Sequence, residues 1–205
     1  RDQWRGKSSY GQQIGSKWIR MNIDKTLFPG LLVMTPKVFE DNRGFFMETF
    51  NQRAFEQAGV PVQFVQDNHA RSEHKGVLRG LHFQLPPSSQ AKLVRVTAGT
   101  VFDVVVDLRI GSPTFGLWYG LELSAENKRQ LFIPRGFAHG YQTLTPEVEF
   151  QYKVDEFYNP NADTGLRWND PQLDINWPID PPILSEKDKS LPFLKEFDSP
   201  FVFEG

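Results

Sequence analysis

The stretch KLVRVTAGTVFDVVVDLR, residues 92–109, decides the fold class. It holds two runs of apolar and β-branched residues, 92–99 and 101–109, separated by small turn residues. Short runs bounded in this way are typical of β-strands. Asp103 and Asp107 lie among valines, so we expect them to be structural residues paired with Arg95 or Arg109.

Similar runs continue on both sides of this stretch. The further predicted strands are 31–39, 45–50, 63–70, 77–84, 115–123, 129–134, 141–145 and 148–154. Turn residues, including RGFAHG at 135–140, separate them, and only NQRAFEQAG at 51–59 predicts a helix. After residue 155 the chain is rich in proline, which predicts an extended C-terminal tail with a helical turn near SEKDKS, 185–190. The pattern predicts an all-β jelly-roll barrel or sandwich with a few short helices and a loop-rich tail.

Composition narrows the class of protein further. The chain has 205 residues and a net charge of -2, and this slightly negative charge disfavours nucleic-acid binding. It contains no cysteine, which excludes disulfides and Cys-ligated zinc. It has no apolar run of membrane-spanning length and no secretory signal pattern, so we expect a cytoplasmic protein without membrane association. Residues 1–20 are polar and aperiodic, and we interpret them as a leader or disordered extension before one domain at 21–205.

The stretch GVLRGLHFQ, residues 76–84, places polar side chains in an apolar strand. Strict alternation puts Arg79 and His82 on opposite faces, whereas a bulge at Gly80 brings them to the same side. A lone strand histidine is either a satisfied structural residue or a functional one, and Tyr152 by itself fits the core. The four histidines lack the His-x-His spacing of a metal site, so we expect none and assign any chemistry to acid and base side chains.

The motifs, taken in order, resemble those of the dTDP-4-dehydrorhamnose 3,5-epimerases, sugar-nucleotide epimerases of the cupin jelly-roll class. The resemblance extends from Leu27 to Asp188, nearly the whole chain beyond the first 20 residues. The matching stretches are DNRGFFMETF, FVQDNHARS, GVLRGLHFQ, KLVRV, VFDVVVDLR, SPTFG, LSAENKRQLFIPRGFAHG, YKVDEFYNP, WNDP and LSEKD.

The resemblance implies cofactor-independent inversion of C3 and C5 of dTDP-4-dehydro-6-deoxy-D-glucose. Both carbons are α to the 4-keto group, so their protons are acidic enough for side-chain bases. By motif position His82 is the base, Asp188 its partner and Tyr152 the acid. Lys92 stabilises the enolate oxygen.

The resemblance also implies a set of substrate-binding residues and a homodimer. Tyr158 matches the ring that stacks on thymine, and Asp163 stands where the family often has glutamate. Exchange of N-terminal strands between subunits implies that Arg43 acts in the partner's site. The full binding set is Arg43, Glu48, Gln66, Asp67, Asn68, Arg79, His139, Tyr158, Asp163 and Lys187.

Two alternatives stay open on sequence grounds. One is an epimerase that inverts a single carbon of a related 4-keto nucleotide sugar. The other is a cupin that binds a sugar nucleotide without catalysis, for which loss of the base, the acid or the base's partner is the expected signature.

Overall fold

The computed structural model describes residues 21–205, and most of its strands lie in two antiparallel sheets that enclose a common core. The strands are β1 Met21–Lys25, β2 Leu32–Pro36, β3 Val38–Asp41, β4 Gly44–Met47, β5 Gln66–Ser72, β6 Leu78–Gln84, β7 Lys92–Ala98, β8 Thr100–Asp107, β9 Trp118–Ser124, β10 Gln130–Ile133, β11 Phe137–Thr143, β12 Val148–Val154 and β13 Asp163–Gly165. One sheet has the order β1-β2-β10-β7-β12-β5, the other β13-β6-β11-β8-β9, and β3 and β4 form a separate hairpin. The predicted jelly-roll class is confirmed.

Apolar side chains at alternate strand positions fill the space between the sheets. Val94 and Phe150 come from the six-stranded sheet, and Val105 and Phe137 come from the five-stranded sheet. Successive strand residues point to opposite faces, so Lys92, Tyr152 and His139 also face this interior. The period of two thus places polar groups inside the barrel.

The outer face of each sheet is covered by a different part of the chain. Helix α1, Gln52–Gln57, packs Phe55 against the six-stranded sheet. The tail after β13 packs Leu173, Leu194 and Phe201 on the five-stranded sheet. Because β8 is buried on both faces, its sequence is apolar at consecutive positions instead of alternating.

Several predicted boundaries shift in the structure. The run 31–39 divides into β2 and β3, while β1 and β13 were not predicted. The predicted turn 135–140 was wrong in part, because β11 begins at Phe137 and includes His139. Helix α2, Glu186–Ser190, confirms the helical turn. The interpretation of residues 1–20 lies outside the described residues.

Two glycines bring β6 and β11 unusually close together. Gly80 has φ +136, and a Cβ atom on it would lie 2.5 Å from the Cα of Gly140. The pairing of β6 with β11 shifts register at this point, between His139 and Tyr141. The predicted irregularity at Gly80 is confirmed, and it places Arg79 and His82 in the lining of one cavity.

No helix in the described part of the chain is long and apolar enough to cross a membrane.

We predict that Gly140→Ala destabilises the fold by about 1–3 kcal/mol, because the added Cβ overpacks two strands that cannot separate easily. That Cβ would lie 2.7 Å from the Arg79 carbonyl oxygen. Urea unfolding measures the change. Gly111→Asn is the control, since Gly111 has open space around it and asparagine tolerates its positive φ. Equal stability of the two variants would contradict the close approach.

Candidate active site

A cavity of about 500 Å³ opens into the barrel interior. Its walls come from strands β5, β6, β7, β11 and β12 and from the tail segment 183–188. The volume suits a small-molecule ligand. The predicted site residues that line it are Gln66, Asn68, Arg79, His82, Lys92, His139, Tyr152, Tyr158, Asp163, Lys187 and Asp188.

His82 and Asp188 form the central pair of the cavity. The Nε2 atom of His82 lies 2.5 Å from Oδ1 of Asp188, although 106 positions separate the two residues. An ionised carboxylate only accepts hydrogen bonds, so Nε2 carries the proton of this hydrogen bond and Nδ1 is the ring nitrogen left to accept another proton. His82 is therefore oriented as a proton acceptor.

Asp188 is held in its ionised form by several donors. Burial alone would raise its pKa, but hydrogen bonds from His82, the Ser185 hydroxyl and the Gly80 backbone N–H lower the pKa below its usual value. The Ser185 hydroxyl donates to Oδ2 over 2.7 Å, and the Asp188 N–H donates back to that hydroxyl. Ser185 thus caps helix α2 and fixes the carboxylate at once. The sequence interpretation missed this role, although a serine three residues before an aspartate is a capping signal.

Lys92 lies next to this pair. Its Nζ is 3.4 Å from the backbone oxygen of His82. Burial lowers the pKa of Lys92 to about 8, and the charges of Asp163 and Asp103 partly oppose this decrease. Lys92 is therefore still mostly cationic at neutral pH and can stabilise an oxyanion in the cavity.

Tyr152 is the other proton-bearing side chain of the cavity. Burial raises the pKa of Tyr152, and the Asp163 carboxylate raises it further, while Arg79 acts against both. The phenol therefore stays protonated at neutral pH and can act as a proton donor.

His139 pairs with Asp103 deeper in the barrel. The His139 Nε2 atom lies 3.0 and 3.1 Å from the two carboxylate oxygens of Asp103. The predicted pairing of Asp103 with Arg95 or Arg109 was wrong, because β11 lies beside β8 and His139, opposite Val105 in the register, reaches the Asp103 carboxylate two positions away. Asp107 does pair with Arg109, over 2.7 Å. His139 and His82 are direct partners across β11 and β6, so two histidine–aspartate pairs lie side by side.

Three residues of the expected binding set lie outside the cavity of the single chain. Arg43 is on the exposed β3–β4 hairpin and pairs with Asp41. Glu48 follows that hairpin and accepts a hydrogen bond from Asn51. Asp67 points to the outer face of β5, where Lys153 binds it. The chain by itself therefore does not bring their side chains to the site.

The mouth of the cavity is formed by Tyr158, Asp163 and Lys187. The Tyr158 hydroxyl donates to Asp163 Oδ2 over 3.1 Å, and Lys187 Nζ lies 2.5 Å from the same oxygen. Asp163 thus joins the Tyr158 hydroxyl and the Lys187 ammonium group through one oxygen. Within residues 21–205 no three His, Asp or Glu side chains are grouped as a metal site.

The groups in the cavity suit the transfer of protons to and from a bound small molecule. Together with the barrel, they define an enzyme of the cupin-type jelly-roll class, with a cavity suited to acid–base chemistry.

Comparison with known proteins gives the family. The model of the dTDP-4-dehydrorhamnose 3,5-epimerase family matches residues 25–196. A dTDP-4-dehydrorhamnose 3,5-epimerase of Shigella flexneri is 58% identical over 169 residues, which cover 82% of this chain and 93% of that protein. The chain belongs to this family of isomerases.

Solved structures agree with this assignment. The Bacillus anthracis 3,5-epimerase with TDP and pyrophosphate bound is 49% identical with a TM-score of 0.83, covering 85% of this chain and 99% of that one. A Legionella pneumophila 3,5-epimerase in complex with dTDP-4-keto-L-rhamnose is 46% identical with a TM-score of 0.86, covering 90% and 100%.

We predict that Asp163→Asn moves the alkaline limb of the kcat/KM profile to lower pH. We assign this limb in the parent enzyme to loss of the Lys92 proton, because burial lowers the pKa of Lys92 to about 8. Asp163 raises that pKa, so removal of its charge lowers it, and the cationic form is lost earlier as the pH rises. Asp24→Asn, on the exposed edge strand β1, is the control. An unshifted limb in Asp163→Asn would exclude Lys92 as the titrating group.

Proposed function

We propose that this protein inverts C3 and C5 of dTDP-4-dehydro-6-deoxy-D-glucose and gives dTDP-4-dehydro-L-rhamnose. The observation that carries the proposal is that the His82–Asp188 pair, Lys92 and Tyr152 open onto one cavity. The reaction exchanges protons only, so base, acid and oxyanion stabiliser together suffice for it.

His82 acts as the general base through its free Nδ1 atom. The nitrogen accepts the proton from the carbon next to the 4-keto group, and the bonding electrons move into the enolate oxygen. The resulting imidazolium is stabilised by Asp188, whose side chain is only 4% exposed.

Lys92 and Tyr152 complete the exchange. Lys92 holds the enolate oxygen with its ammonium group, and Tyr152 delivers a proton to the opposite face of the carbon. Collapse of the enolate restores the ketone with inverted configuration. Solvent then returns a proton to the phenolate and removes one from the imidazolium.

The remaining cavity residues bind the nucleotide sugar. Arg79 is held by Ser72 Oγ at 3.3 Å and by the Arg71 carbonyl oxygen at 3.2 Å, and its guanidinium suits the diphosphate. Tyr158 is 57% exposed at the mouth, where its ring can stack on thymine. The other binding groups of the cavity are Gln66, Asn68, His139, Asp163 and Lys187.

A homodimer would complete the site with residues that one chain leaves outside. The β3–β4 hairpin exposes Phe45 and Phe46 to 55% and 62%, and within residues 21–205 its sheet contains only these two strands. Large exposed rings on such a hairpin favour burial against a second copy. We propose that the partner's hairpin brings Arg43, followed by Glu48, to the cavity.

We predict deuterium incorporation at both C3 and C5 when enzyme and substrate are incubated in deuterated water. Each inversion takes up a solvent proton, so the NMR proton signals of both carbons disappear. Exchange at one carbon alone would support an epimerase that inverts a single centre. Exchange at neither carbon would remove the enzymatic proposal for this substrate.

We predict that His82→Ala lowers kcat by roughly 10²- to 10⁴-fold and abolishes exchange at both carbons, because the base is lost. His74→Ala, in an exposed loop, is the matched control.

Tyr152→Phe should lose double inversion, whereas Tyr119→Phe, outside the cavity lining, should keep it. Complete inversion of both carbons by Tyr152→Phe would refute the acid assignment.

We predict that mixing two inactive variants, Arg43→Ala and His82→Ala, restores roughly a quarter of the parent activity after subunit exchange. In a twofold dimer half of the random pairs are mixed, and each mixed pair holds one intact site of two. Activity at saturating substrate and analytical ultracentrifugation provide the measurements. No recovery in a proven mixed dimer would show that Arg43 acts within its own chain.

A further inference from the structure

The backbone segment Glu156–Asn159 forms part of the cavity mouth without belonging to a strand or helix. It follows β12 and carries Phe157 and Tyr158, which are 62% and 57% exposed. An irregular segment of this kind needs hydrogen-bond partners for its N–H and C=O groups. Three glutamine side chains supply them.

Gln84 holds the backbone on both sides of Tyr158. Its Nε2 donates to the Phe157 carbonyl oxygen over 3.2 Å, and its Oε1 accepts from the Asn159 N–H over 2.8 Å. A further bond from Nε2 to the Ser88 carbonyl oxygen, at 2.7 Å, fixes the amide itself. The residue is only 4% exposed, and all its hydrogen-bonding groups are engaged.

Gln66 and Gln90 bind the neighbouring backbone groups. Gln66 Oε1 accepts from the Tyr158 N–H over 3.1 Å, and Gln90 Nε2 donates to the Glu156 carbonyl oxygen over 2.7 Å. Four consecutive residues are therefore each held by a glutamine. Gln66 comes from one sheet and Gln84 from the other, so the segment is fixed relative to both walls of the cavity.

We propose that Gln84, supported by Gln90, is a positioning residue that fixes the Tyr158 ring for stacking on the nucleobase. The inference rests on the proposed function, since it takes a thymine nucleotide as the ligand. Gln84 is two positions after His82 on β6, so both side chains face the same side of the strand. One strand thus carries the base for the reaction and the support for the ring.

The physical advantage is preorganisation. A tyrosine on a free loop would lose backbone conformational freedom when the ligand binds, and this loss opposes binding. A segment already bonded to both sheets loses much less, so more of the stacking energy contributes to affinity. The hydrogen bond from the Tyr158 hydroxyl to Asp163 then limits rotation of the ring.

The test compares binding of dTDP and of inorganic diphosphate by calorimetry with steady-state kinetics. Gln84→Met keeps the side-chain volume and removes the hydrogen bonds to residues 157 and 159. We expect it to raise the Kd of dTDP and the KM of the keto sugar nucleotide about tenfold, within the range of one base–aromatic stack. Diphosphate has no base, so its Kd should stay unchanged, and kcat should change by less than about twofold.

A double-mutant cycle with Tyr158→Ala separates positioning from general damage. If Gln84 acts through the ring, the double variant binds dTDP no more weakly than Tyr158→Ala alone. Gln142→Met is the matched control, because Gln142 is fully buried and bonds both ways to the Ile179 backbone outside the cavity lining. It should leave the Kd of dTDP unchanged.

An unchanged Kd of dTDP in folded Gln84→Met, an equal loss of diphosphate affinity, or additive losses with Tyr158→Ala would each overturn the inference. If Gln84→Met does not fold, Gln90→Ala decides, since its side chain is partly exposed and makes one bond to the segment. That variant should weaken dTDP binding alone, and no weakening overturns the proposal. Failure of the proposed function is distinguishable, because the parent enzyme would then not invert both carbons of the keto sugar, whereas failure of the inference leaves that inversion intact and appears only in the dTDP affinities of the variants.

Discussion

The hydrogen bond between His82 and Asp188 joins a strand of the five-stranded sheet to a five-residue helix near the end of the chain. A carboxylate buried to this extent requires partners, because an unpaired buried charge costs several kcal/mol. Asp188 finds them in His82, Ser185 and the Gly80 N–H. The site therefore exists only when the tail has wrapped around the barrel. The same contact that closes the fold also sets the tautomer of the base.

The cavity balances a small number of buried charges against one another. Lys92 would lose its proton more easily if Asp163 and Asp103 were absent, and Asp163 adds to burial in raising the pKa of Tyr152. One carboxylate at the mouth thus favours the protonated forms of both Lys92 and Tyr152. The same carboxylate reaches both Lys187 and the Tyr158 hydroxyl through one oxygen.

The polar side chains that support the site follow from the pleat of the strands. His82 and Gln84 alternate with Leu81 and Phe83, which pack under the tail on the outer face. Interior positions near the open end of the barrel therefore hold the polar side chains of the cavity, and outer positions hold the apolar side chains that stabilise the fold. The hairpin is the exception, because Phe45 and Phe46 on it are more than half exposed.

The sequence by itself determined the jelly-roll class, most strands, the irregularity at Gly80 and, through its motifs, the residues that meet in the cavity. These follow from local patterns of period two, turn residues and spacing, and from resemblance along the chain. Only the tertiary structure decided that Asp103 pairs with His139, that Ser185 holds Asp188 and that three glutamines hold the Tyr158 segment. It also placed Arg43 outside the single-chain site. Such contacts depend on strand order, on register and on the path of the tail, because these bring together residues that are far apart in sequence. No local sequence pattern specifies them.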